Sequence, residues 1–146
     1  MPFPSNLLVA IDFHPDTRDG LETVLALAAR LDAKVHLVHA FTLSEVTESE
    51  LRSESLSDAE ADRSRRLHEL AAQHSASGRI GEVIVREGDP ASVLVQVAEQ
   101  LHADMIIVAP YHHGLQRFVR GSVAESVIRD APCSVLVLRH SRPVGT

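Results

Sequence analysis

"GDPASVLVQVAEQLHADMIIVA", residues 88–109, decides the fold because it contains a complete helix-to-strand unit. Asp89 is placed to cap a helix, and Pro90 suits the first helical position, where an amide N–H has no partner to lose. Val93, Leu94, Val97, Ala98 and Leu101 then recur at the spacing of one helix face. "MIIVAP" (105–110) follows, with too many consecutive apolar residues for burial on one side only. Such a run predicts a strand covered on both faces.

Strand-like runs and helical stretches alternate on both sides of this unit, with no internal sequence repeat. "LLVAIDF" (7–13), "KVHLVHA" (34–40), "EVIVRE" (82–87) and "SVLVLR" (134–139) are four more candidate strands. Leu21, Val24, Leu25, Ala28 and Leu31 mark the apolar stripe of a helix that begins near Asp16–Thr17. In the segment 56–76, Ser57 is a candidate N-cap with Glu60 at N3, a capping box. A last helix is expected from about Gly121 to Asp130, with Val123, Val127 and Ile128 inward. Strands alternating with helices over short connections predict an α/β fold: a doubly wound parallel sheet of five strands, helices on both faces, in one domain spanning 1–146. The long connection 41–57 is acidic and serine-rich and reads as a mobile loop with a helical turn.

Composition narrows the classes of function. The 14 Lys+Arg against 20 Asp+Glu give a net charge of −6, so a broad basic footprint for nucleic acid is not expected. No stretch approaches the ~18 apolar residues of a membrane span, and the N-terminus lacks the basic and apolar regions of a signal peptide. The single cysteine, Cys133, forms no internal disulfide and fits no zinc spacing, which favours a reducing, cytoplasmic setting. It follows Pro132 at the start of an apolar strand and reads as a buried small residue.

In doubly wound sheets, ligands bind beyond the carboxyl ends of the strands where the strand order reverses, because neighbouring loops diverge there. This selects the loops "DFHPDTRD" (12–19) and "PYHHGLQRFVRGS" (110–122). In the combination of "LLVAIDF" (7–13), "VHLVHA" (35–40), residues 88–109 and "GSVAESVIRDAPCSVLVLR" (121–139), the chain resembles the universal stress protein family nearly end to end. The resemblance implies strand order 3-2-1-4-5, a homodimer, and an adenine nucleotide, ATP or AMP, with Mg²⁺ as a possible companion. It also implies a regulatory role in stress response through a protein client that the sequence does not name.

The family's nucleotide-binding branch carries a loop of form G-x2-G-x9-G-[ST], whose glycines admit phosphates against the backbone and a helix N-terminus. Here Ala109 stands for the first glycine and His112 approximately for the second, Gly114 remains as a flexible point, and Gly121, Ser122 and Val123 are kept. Arg117 and Arg120 precede them. Asp12 matches the aspartate that faces the adenine, and Ala40 the backbone contact after the second strand. A bulky His112 would occupy space meant for phosphate oxygens. The alternative to a nucleotide-binding regulator is therefore a dimeric interaction module of the same family that has lost triphosphate binding.

Of nine histidines, His14, His112 and His113 fall in the two converging loops, yet no HxH or HExxH element accompanies them. They read as polar residues titrating near neutrality rather than as metal ligands. His36 and His39, three apart in the second strand, should face opposite sides of the sheet, His39 as a satisfied core histidine. No nucleophile elbow, Walker A sequence or SGGxDS loop is present, so no enzyme is expected, a slow ATPase being the remote exception. If strand five is an edge, Val135, Leu136, Val137 and Leu138 leave apolar side chains beside an unpaired ladder, which predicts a homodimer through 134–139.

Overall fold

A computed structural model describes residues 3–13, 17–42, 56–111 and 123–139. The elements are β1 (Asn6–Ala10), α1 (Thr17–Leu31), β2 (Lys34–Phe41), α2 (Leu56–Gln73), a 3₁₀ turn (Ser75–Ser77), β3 (Ile80–Glu87), α3 (Pro90–Leu101), β4 (Met105–Tyr111), α4 (Val123–Asp130) and β5 (Ser134–Arg139). The sheet is all parallel, in the order β3-β2-β1-β4-β5.

Strand alternation divides the core in two. Leu7, Val9 and Ile11 of β1 pack with Val35 and Leu37 of β2 under α1 and α2, which contribute Leu21, Val24, Ala28 and Leu67. Leu8 and Val38 point the other way, against Val93, Leu94 and Val97 of α3 and Val127 of α4. Burial on both faces is why these strands read as unbroken apolar runs. The start of α3 matches expectation: the Asp89 carboxylate accepts from the Ser92 N–H (3.1 Å) and hydroxyl (3.0 Å). Two local expectations are corrected. α2 begins at Leu56, so Ser57 stands inside its first turn rather than before it. Ile128 is 59% exposed, because α4 buries a stripe only one residue wide, at Val127.

Two irregularities shape the sheet. Between Val35↔Ile80 and Leu37↔Val83 the edge strand β3 carries one extra residue, and the His36 ring fills the gap. Its Nδ1 accepts the Glu82 N–H (2.9 Å), which leaves Nε2 to donate to Asn6 Oδ1 (3.3 Å). Gly81 is required here, since a Cβ would stand 2.6 Å from the ring. The second irregularity lies between Val108↔Val137 and Tyr111↔Arg139, where β4 has one residue more than β5. Pro110, with no N–H to give the ladder, falls within it. β4 thus loses regular pairing toward its carboxyl end.

Candidate functional site

β1 lies between β2 and β4, and the chain leaves it toward β2 first and crosses to β4 later. The reversal of strand order therefore sits at the carboxyl ends of β1 and β4, where the loop rule placed the ligand crevice. Asp12 stands there, exposed, two residues beyond β1. Ala40 is the penultimate residue of β2, half-buried and in register with Arg86. Ala109 lies in β4 just past the Ala10↔Val108 pair, and Val123 opens α4. His112, Gly114, Gly121 and Ser122 lie outside the described residues, as do His14, His113, Arg117 and Arg120. Among the described residues no three His, Cys, Asp or Glu side chains are grouped to hold a metal ion.

The wall beside Asp12 has an organisation that local sequence patterns do not reveal. The Ile11 N–H donates to the Val38 carbonyl (2.8 Å), and the Ile11 carbonyl accepts from His39 Nδ1 (2.7 Å). This bond puts the proton on Nδ1. The buried His39 ring also lies 4.4 Å from the Phe13 ring, tilted by 44°, and stacks near-parallel on Phe41 at 6.4 Å. Two arginines of α2 continue the series, the Arg66 guanidinium 4.4 Å from the centre of Phe13 and that of Arg63 4.8 Å from Phe41. Each cation faces the negative π-cloud of a ring. Phe13 holds φ at 62°, a left-handed conformation that costs a bulky residue about 1–3 kcal/mol and persists only where its surroundings impose it.

The opposite end of the sheet is polar but closed. The Asp104 carboxylate accepts from the Ser5 N–H (2.7 Å), the Ser5 hydroxyl (3.0 Å) and the Asn6 N–H (2.8 Å). Backbone hydrogen bonds, first from Ser5 and then from Asn6, hold its carboxyl below the usual range. Cys133 is half-buried, and burial pushes its thiol upward, away from the reactive thiolate. Asp104 thus ties the entry of β1 to the residue before β4.

The sequence matches the universal stress protein family over residues 5–139. A Staphylococcus aureus (strain USA300) protein named as a candidate universal stress protein is 26% identical over 138 residues, which are 92% of this chain and 83% of that one. The fold is shared with a universal stress protein crystallised in complex with cAMP, at TM-score 0.65 and 21% identity over 94% of this chain and 98% of that one. It is also shared with a family protein from Arabidopsis thaliana with AMP bound, at TM-score 0.67 and 18% identity over 97% of each chain. No helix among the described residues is long and apolar enough to cross a membrane. The family match, reaching from the first strand to the last, establishes that this chain belongs to the universal stress protein family.

Proposed function

We propose that this protein binds an adenine nucleotide in the crevice beside Asp12 and acts as a regulatory component of a stress response, without catalysing a reaction of its own. The observation that carries the reading is the exposed carboxylate of Asp12 at the reversal of strand order. A carboxylate accepts hydrogen bonds only, which suits an exocyclic amino group of a base. The cAMP and AMP bound by the two fold relatives support the choice of an adenine nucleotide.

Within this reading Ala40 offers its backbone to the base, and Gly121 and Ser122 receive the phosphates together with Val123, which opens α4. Ala109 and His112 replace the two glycines of the full pattern, so a monophosphate suits the site better than a triphosphate with Mg²⁺. Calorimetry with AMP, cAMP, ADP and ATP, with and without Mg²⁺, tests this. AMP is expected to bind more tightly than ATP, and no heat up to millimolar ligand would refute it.

The altered loop favours one second reading, a ligand-independent dimeric module that meets a protein client in the cytoplasm. Both readings use a homodimer through β5. β5 is an edge of the sheet, and Leu136 and Leu138 reach the core only in part. Two-fold pairing of β5 with its own copy would complete the ladder and cover these side chains. Light scattering at tens of micromolar should give a dimer that Leu136→Pro disrupts.

A further inference from the structure

We propose that His39, Phe13 and Arg66 form a positioning device that fixes the direction of the Asp12 carboxylate, and with it the preference of the site for a base carrying an exocyclic amino group. The inference rests on the nucleotide reading for its ligand, though the device itself is a property of the free protein.

One imidazole holds the chain on both sides of Asp12. His39 donates from Nδ1 to the carbonyl of Ile11, the residue before, and packs its ring on Phe13, the residue after. Ile11 is fixed a second time by its N–H on Val38. Phe13 is fixed a second time by Arg66, which reaches it from α2. His39 itself is buried and backed by Phe41, which Arg63 covers in turn.

The conformation of Phe13 distinguishes this from ordinary packing. A half-buried phenylalanine beyond the end of a strand has no ladder to hold it at a φ of 62°, and would relax if its ring were released. The ring contacts therefore impose the backbone geometry that aims the preceding side chain. A carboxylate aimed before the ligand arrives loses less freedom on binding, so the gain appears as affinity and discrimination. Arg66 is exposed and acts through Phe13, as a positioning residue that need not touch the ligand.

The test compares AMP with IMP, which has a carbonyl oxygen where AMP has the amino group. Wild type should prefer AMP by about tenfold, the size of one hydrogen bond to a charged group. In Phe13→Gly, where glycine accepts the positive φ but supplies no ring, and in Arg66→Ala, the preference should fall to about threefold or less through loss of AMP affinity. Arg65→Ala, on the same helix but paired with Asp62 and Glu69, should keep it. Without ligand, the ¹⁵N order parameters of the Asp12 and Phe13 amides should drop in both positioning variants from the rigid range, about 0.85, toward about 0.6. An undiminished preference overturns the proposal, as does equal weakening of AMP and IMP. Unchanged order parameters overturn it as well. A wild type that binds neither nucleotide refutes the nucleotide reading, and the order parameters then decide the device alone.

Discussion

The two histidines of β2 are equally buried, three residues apart, and serve opposite ends of the molecule. Each is 7% exposed. His36 accepts at Nδ1 from a backbone N–H of the edge strand and donates at Nε2 to Asn6, so its ring replaces a missing rung of the sheet. His39 carries its proton on the other nitrogen, Nδ1, and gives it to the carbonyl that precedes Asp12. The same residue type in one strand thus has opposite tautomers. The surroundings of His36 are a closed hydrogen-bonded frame, whereas those of His39 are aromatic rings, guanidinium groups and a strained backbone beside an exposed carboxylate. The first region is a frame for the sheet, and the second is where we propose that ligand geometry is set.

The largest expected effect breaks the frame. Gly81→Ala drives a methyl into the His36 ring and the Lys34 side chain, both within 3 Å of the new atom. The ring cannot swing away without abandoning Glu82 and Asn6. Chemical denaturation should show a loss of about 1–3 kcal/mol, as overpacking of a buried site does.

Acid sharpens the comparison next. Burial, and then the charge of Lys34, lower the pKa of His36, while Glu82 opposes them in part. The unfolded chain therefore takes up this proton first as the pH falls. The His36 contribution is complete above the ordinary value of 6.5 and declines as the pH drops through 6.5 toward the folded value. Protonation also turns Nδ1 into a donor facing the Glu82 donor. Asp104, lowered by its bonds from Ser5 and Asn6, contributes stability that is complete above its ordinary 3.8 and is lost as the pH falls through its folded value. Denaturation midpoints measured against pH should fall in two stages, and His36→Gln should remove the first.

Most of the architecture was legible because two-sided burial writes itself into runs such as residues 105–110, and helix starts into pairs such as Asp89–Pro90. Strand order was legible only through the family resemblance. What sequence reasoning missed depends on contacts between distant residues. Gly81 opposite His36 follows from the β2–β3 register, and Arg66 on Phe13 from the docking of α2 on the sheet, neither of which has a local signature. Two signals for the second were nonetheless present: a phenylalanine directly after the strand-end aspartate, and arginines at 63 and 66 on one helix face. The place of Asp12 just beyond β1 was readable from the sequence, while its role toward a base was expected from position, residue type and resemblance together and belongs to the proposed function. The expected phosphate side, His112 to Ser122, lies outside the described residues and stands on sequence alone.

The division of labour between the two histidine regions is tested most directly by titrating AMP into wild type and Asp12→Ala while following the denaturation midpoint of each. Asp12 is exposed and lies outside the frame, so the stabilities should agree within about 0.5 kcal/mol while AMP affinity falls about tenfold or more. Equal AMP affinity in the two proteins, or a loss of stability comparable to that of Gly81→Ala, would contradict the account.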